Sequence, residues 1–346
     1  NSEPIFDSEM NCCIIINLLK RTTDKEKLNK ILLLLNNLIK FCNTRINSYF
    51  LQNHIIEIFL VISNKGTNSD IIVNLLDSIL VLSTEQLSPE CVLNIYRLFS
   101  YIQNRSNKHL TYIIKIINNL IIKNSIQFEQ FNNFQVYNMI KVVISNHDNG
   151  LNELTSIACK AISRLIDAFH CTELFDFGNI LRLMGLETTT SKEEECLYNV
   201  EKAFLSYITI DKEKIHKLLT EDNIRIFLYL LQNSKISCKL VLIKVFSQFV
   251  TEMNSDNFQL VFLVENDLSL FNEIAQAMQT EDVEVVFESL VLINSIFDKS
   301  VAYNAMEQCR VCFQSFFDPS YFDLFDSLEN EQISQLAEKL KPYVFT

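Results

Sequence analysis

Three groups of residues have types and spacings that could do chemistry. Cys309 and Cys312 flank Arg310 and Val311, the spacing of a redox pair or of half a zinc site. A zinc ion takes four ligands. No second such pair or His pair lies nearby, and the segment reads as helix, so these are structural cysteines. His170-Cys171 pairs a base with a nucleophile, but neighbours on a helix project about 100° apart and cannot hydrogen-bond well. Glu193, Glu194 and Glu195 fall in the polar stretch Thr188–Glu195, which reads as a surface loop and a helix start. With Gly66, Gly150, Gly178 and Gly185 as the whole glycine complement, neither phosphate-binding glycine motif is present. The expectation is a protein without catalytic residues, metal or cofactor.

The elements that would position any site are clearer. Thr111–Lys123 reads TYIIKIINNLIIK, with Lys115, Asn118, Asn119 and Lys123 at offsets of three and four. They form one thin polar stripe on a helix that is apolar elsewhere, so this helix must be buried on two or three sides. Only the stripe through Lys115 and Asn119 is left to face water or a ligand. The same design, a pair followed by an apolar anchor, recurs at Leu38, Ile79, Leu120, Leu165, Phe204, Phe249 and Ile296. The anchors are 41, 41, 45, 39, 45 and 47 residues apart. Periods in that range belong to helical repeats of the armadillo or HEAT kind. The fold expected is all-α: a right-handed armadillo-repeat superhelix of about eight three-helix units, with the stripe helices lining its concave side.

Composition agrees. Of 346 residues, 48% are hydrophobic and 21% charged, which is globular and not disordered. A repeat array also escapes the size limit on a single core. Four Gly and four Pro argue against a β-sandwich with many tight turns. A net charge of −12 argues against nucleic acid, which needs a basic surface, and suits a basic protein partner. The ten cysteines lie mostly within apolar helical runs, the usage of a reducing compartment. No run is long enough to span a membrane and no signal peptide is visible. The expected location is cytoplasmic and nuclear, the expected state a monomer, and membrane association is not expected. The chain starts at Asn1, which suggests trimming.

Along the chain, Asn1–Asp7 reads as a lead-in and Lys25–Cys42 as the first stripe helix. Asn47–Ile62 reads as two shorter helices broken near Gln52–His54, and Asn64–Asn68 as a polar turn around Gly66. Ser88-Pro89-Glu90 is a helix start, a Ser cap followed by Pro at the first helical position. No linker rich in Gly, Pro or Ser divides the array. One domain is expected over 1–346, with 303–346 as a C-terminal capping repeat.

The C-terminal segment resembles the last armadillo unit of the importin-α family. There a helix ending in LQxHEN leads into an IYxxA…YF helix. Leu328-Glu329-Asn330-Glu331, Ile333, Leu336-Ala337 and Tyr343-Val344-Phe345 take those places. Phe262–Glu265, Leu268–Met278 and Glu281–Val286 resemble the preceding unit. The resemblance implies a nuclear transport adaptor whose third helices carry a WxxxN ladder. In that ladder, Trp sandwiches cargo Lys and Arg stems and Asn bonds the cargo backbone. The Asn position is occupied here by Asn37, Ser78, Asn119, Arg164, Ala203, Gln248 and Ser295. The Trp position is occupied by Leu33, Asn74, Lys115, Lys160, Asn199, Lys244 and Val291, and the chain has no Trp.

The expected function is therefore an importin-α-like adaptor that holds protein cargo in the groove. Importin-β would be a partner only if a basic segment precedes Asn1. The alternative is a non-enzymatic armadillo scaffold of another pathway that binds a protein segment. With Lys115, Lys160 and Lys244 in equivalent places and Arg164 one turn beyond Lys160, the middle of the groove is expected to be basic and to favour an acidic segment.

Overall fold

Side-chain caps set where the helices begin. Asn68 Oδ1 accepts from the Ile71 amide at 3.1 Å, Ser88 Oγ from Cys91 and Asn152 Oδ1 from Thr155. Thr190 and Glu193 form a reciprocal capping box, the local reason the acidic stretch is a helix start. Each such cap is worth about 1 kcal/mol. Left-handed residues place the breaks. His54, at φ 58°, separates the two short helices expected around it, and His170, at φ 54°, ends a long one.

The computed structural model describes residues 9–41, 44–64, 68–102, 106–146, 148, 150–265 and 268–344. The lead-in at Asn1–Asp7 and the turn around Gly66 lie outside the described residues. The chain divides into two compact units, 1–179 and 180–346.

The first unit holds α1 (Glu9–Arg21) and α2 (Lys25–Phe41), then α3 (Thr44–Gln52), α4 (Ile55–Asn64) and α5 (Ser69–Leu82). There follow α6 (Pro89–Tyr101), α7 (Asn107–Ile122), α8 (Phe128–Asn133), α9 (Tyr137–Ser145) and α10 (Glu153–Phe169). Its long stripe helices stack in one layer, α2 on α5, α5 on α7 and α7 on α10. Behind them α4 packs on α6, and α9 on α7 and α10. The apolar circumference of α7 explains this arrangement. Ile113, Ile114, Ile116, Ile117 and Leu120 are all at 0% exposure because neighbours cover the helix on both flanks and behind.

A short helix, α11 (Phe177–Met184), precedes the second layer. In the second unit follow α12 (Ser191–Ile210), α13 (Lys212–Leu218), α14 (Glu221–Asn233), α15 (Ile236–Glu252), α16 (Leu270–Met278) and α17 (Val283–Ala302). The last three helices described are α18 (Met306–Phe316), α19 (Ser320–Ser327) and α20 (Glu331–Val344). Here α12 packs on α15, α15 on α17 and α17 on α20. The core is rich in Phe, with Phe227 set against Phe204 (5.3 Å between centroids) and edge-on to Phe249 (5.0 Å). Phe leaves no polar atom to satisfy in such a place.

Among the described residues eight repeats can be counted, but not all have three α-helices. The pairs α1–α2 and α6–α7 lack a first helix among the described residues, since only 83–88 separate α5 from α6. In two repeats the first helix is a 3-10 turn, Thr172–Leu174 and Phe258–Phe262. Strand is confined, among the described residues, to one two-residue ladder that leaves the all-α class intact. β1 (Val264–Glu265) pairs antiparallel with β2 (Leu268–Ser269). Ser269 must be extended to cap α16, at φ −149° and ψ 149°, and this two-residue ladder is the product of that local requirement.

Candidate protein-binding surface

The residues that recur at each repeat sit on consecutive stripe helices, as the spacing requires. In the first unit Leu33 and Asn37 lie on α2, Asn74 and Ser78 on α5, Lys115 and Asn119 on α7, and Lys160 and Arg164 on α10. In the second, Asn199 lies on α12, Lys244 and Gln248 on α15, and Val291 and Ser295 on α17. What differs from expectation is how many of these side chains are already engaged within the protein.

The polar pairs interlock neighbouring helices. The first member reaches forward: Asn36 Nδ2 donates to the Asn74 carbonyl at 3.2 Å and Asn118 Nδ2 to the Ile157 carbonyl at 3.1 Å. In the second unit Asn294 Nδ2 reaches the Leu336 carbonyl at 3.3 Å. The second member reaches back. Ser78 Oγ donates to Asn36 Oδ1, and Arg164 Nη1 to Asn118 Oδ1 at 2.8 Å. Asn119 Nδ2 donates to Ser83 Oγ at 2.9 Å, at the end of α5. Asn36 and Asn118 are buried, where an unpartnered amide would cost about 1–3 kcal/mol. The pair is thus a joint between repeats. Ser78, expected as a ligand contact, is fully buried and is not available as one.

The other recurring positions are more open, and their charges are largely spoken for. Asn74 Nδ2 donates to Asn29 Oδ1 at 2.6 Å. Lys115 Nζ lies 2.7 Å from Glu153 Oε1. Lys244 Nζ lies 3.0 Å from Glu284 Oε1 and 3.4 Å from Glu288 Oε1. Partial burial weighs against the Lys244 ammonium, but the two carboxylates outweigh it and its pKa sits above the ordinary lysine value. Burial lowers the pKa of Arg164. Asn199 bonds the Glu195 carbonyl and Ser295 the Val291 carbonyl, each on its own helix. Leu33, Asn37 and Lys160 remain exposed, and Gln248 and Val291 are half-buried. The uniformly basic stripe expected from Lys115, Lys160 and Lys244 is therefore corrected. At Lys115 and Lys244 the stripe presents neutralised pairs of alternating sign.

Glu153, Glu284 and Glu288 were the residues the sequence reading missed, and a signal for two of them exists. Lys115 and Lys244 each stand five residues before an anchor. Glu153 and Glu284 each stand twelve before the next anchor. After Lys160 that place holds Lys192, not a carboxylate.

A second feature lies wholly in the second unit. A cleft of about 830 Å³ is lined by Leu186, Leu197, Ile226, Tyr229 and Leu268, with an ion pair between Lys235 and Glu194 at its wall. Cys238 also lines it, and Glu201, fully buried, faces that thiol from α12. Burial pushes the Glu201 carboxyl up to about 8, and the Cys238 thiol offsets this only in part. Cys309 is buried and Cys312 half-buried, neither in a disulfide. Among the described residues no group of His, Cys, Asp and Glu is arranged to hold a metal ion. None of their helices is long and apolar enough to cross a membrane.

No family model matches the chain, and no curated protein matches it in sequence. Among solved structures, it is similar to a chain in the crystal complex of SYS-1 with POP-1. That match has a TM-score of 0.70 at 10% identity and covers 98% of this chain and 73% of the other. An engineered protein covers 96% of this chain at a TM-score of 0.48 and 10% identity, with 99% of its own length matched. A designed armadillo repeat protein covers 82% at 0.34 and 13%, with 98% of its own length matched. At 10% identity the first of these likenesses shows the fold alone, and with the stacked third helices described above that fold is an armadillo-repeat arrangement.

Proposed function

We propose that this chain is a non-catalytic armadillo scaffold that holds an extended protein segment along the outward stripe of its stacked third helices. The observation that carries the reading is the layer itself. Four long helices in each unit stack side by side, and in each layer half-exposed residues recur once per repeat. Such a surface is a series of equivalent contacts matched to an extended chain. The SYS-1 structure with the same fold was crystallised with a protein partner, which supports the reading by analogy of architecture.

A nuclear-import adaptor is the narrower reading, with location in cytoplasm and nucleus and importin-β as a further partner. The stripe is poorly suited to a conventional basic signal. It offers no Trp to sandwich lysine stems. Glu153 and Glu284 are already paired, so a cationic segment would have to displace Lys115 or Lys244 from them. The broader scaffold reading is therefore preferred, with a segment that brings both signs of charge or exchanges partners with these pairs.

The experiment is site-specific photo-crosslinking in extract of the native cell. A crosslinking residue is placed at Lys160 or Ser295 on the stripe, or at Val142, which is 56% exposed on α9 behind the layer. The reading expects one protein enriched at the stripe positions and not at Val142, with crosslinks confined to one continuous segment. Equal crosslinking at all three positions would refute it.

A further inference from the structure

One third helix begins without the cap that the others have. Helices α5, α7, α10, α12 and α17 each start on a side chain that accepts from a first-turn amide. Asp24 does this for α2 and Asn330 for α20. Helix α15 starts on Lys235, whose ammonium has no acceptor to offer those amides. It pairs instead with Glu194 of α12 at the wall of the cleft. Both partners are partly exposed, and a pair of that kind holds little. Among the described third helices, the start of α15 is the least fastened.

Beside it lies a buried acid. Cys238, in the first turn of α15, lines the cleft and faces Glu201 of α12. Glu201 is fully buried, and among the described residues neither of its oxygens has a hydrogen-bond partner beyond that thiol. No other titratable group acts on it, whether from α13, α14 or α15, so no cation offsets a charge there. Glu273 of α16 is likewise buried without a hydrogen bond, but Lys239 of α15 supplies it with a cation. Glu201 is the acid left uncompensated.

A bare carboxylate is disfavoured in such a place, so the closed joint holds the acid with its proton. Once the proton leaves, the charge needs water. The cleft is the way in, since Cys238 stands on its wall and faces the acid. Farther along α12, Phe204 packs against Phe227 at 5.3 Å between centroids and keeps the core shut. Movement is thereby confined to the start of α15. We propose that the start of α15 is a proton-held gate on the cleft: Glu201 with its proton keeps α12 and α15 closed there, and Glu201 without it parts them and admits water past Cys238. The gate is independent of the stripe proposed above. It controls access to the cleft and does not require that any segment lie along the layer.

Cys238 is its reporter, being 3% exposed while the joint is closed. Alkylation of Cys238 is followed by peptide mass spectrometry from about pH 6 to about pH 9, in the unaltered chain and in Glu201→Gln. Each rate contains the ordinary rise of a thiol with pH, so the ratio of the two reports the gate alone. Opening that releases one proton gains about tenfold per pH unit while the closed form keeps its proton. The ratio of unaltered to variant rate should therefore climb about tenfold from pH 6 to 7. It should climb less steeply toward about 8, where burial places the Glu201 carboxyl, and level off above. Cys309, buried on α18 of the same unit, should stay slow in both proteins. Hydrogen exchange over residues 236–240, corrected for its own base catalysis, should give the same pH profile in the unaltered chain. That second reading holds even if the variant folds poorly. The proposal is overturned by a ratio that does not change with pH, or by a Cys238 that resists alkylation throughout. It is also overturned if Cys309 accelerates in step with Cys238, since the whole unit then opens.

Discussion

If the polar pairs are joints between repeats, then Asn118 and Arg164 are coupled. Asn118→Ala removes the amide that bonds the Ile157 carbonyl at 3.1 Å and the oxygen that accepts from Arg164 at 2.8 Å. A neutral bond contributes about 1 kcal/mol and one to a charged group about 1.5–3 kcal/mol. Asn118 is buried, so the abandoned carbonyl is not freely rehydrated. Arg164 is only half-buried, and water recovers part of its loss. Together these place Asn118→Ala at about 2–3 kcal/mol of destabilisation. Arg164→Ala should cost less, about 1–2 kcal/mol, because Asn118 keeps its amide bonds. The double variant should be less damaging than the sum by about 1 kcal/mol, the coupling energy of the shared bond. Urea unfolding followed by far-ultraviolet circular dichroism measures all four proteins. The chain has two compact units, so the transition belonging to the first should be fitted alone if two resolve. Additivity within about 0.3 kcal/mol would refute the joint.

Three further outcomes follow from the same packing. Leu120→Ala, at a position with 0% exposure, should cost about 2–5 kcal/mol, whereas Lys123→Ala, exposed at the helix end, should cost little. Equal effects would mean that the stripe is misphased. The folded chain holds on Glu201 a proton that the unfolded chain releases in the ordinary glutamate range, so stability should fall as pH rises from that range to about 8. Glu201→Gln should flatten that slope and raise the thermal midpoint at neutral pH; an unchanged slope would contradict it. Reversal of Lys115, Lys160 and Lys244 to Glu breaks three ion pairs and puts like charges against Glu153, Glu284 and Glu288. A basic import-signal peptide should bind the original protein weakly and the reversed protein more tightly, above all at low salt. Tight binding to the original protein along its stripe would favour the import reading.

The third helices were legible because two signals coincide there. An apolar surface around most of the circumference of Thr111–Lys123 demands burial on several sides, and its recurrence at 39–47 residues demands a stack. First helices were less so. The 83–88 turn and the 3-10 turn at Phe258–Phe262 replace them with segments too short to show a period. The role of Asn36 and Asn118 was out of reach of local reading, since their partners lie 38 and 39 residues away on another helix. An Asn on a helix looks solvent-facing when it is bonding a neighbour's backbone. The pairing of Lys115 with Glu153 and of Lys244 with Glu284 has a register that the anchors define, and it can be read once those helices are known to touch.

The scaffold reading stands on where a protein segment lies, and hydrogen exchange measures that directly. The segment recovered by crosslinking is synthesised, and exchange is compared for the chain alone and saturated with it. Slowed exchange should concentrate in consecutive third helices, α5, α7 and α10 or α15 and α17. Protection concentrated in α4, α6 and α9, or in α14 and α16, with the third helices unchanged, would contradict it.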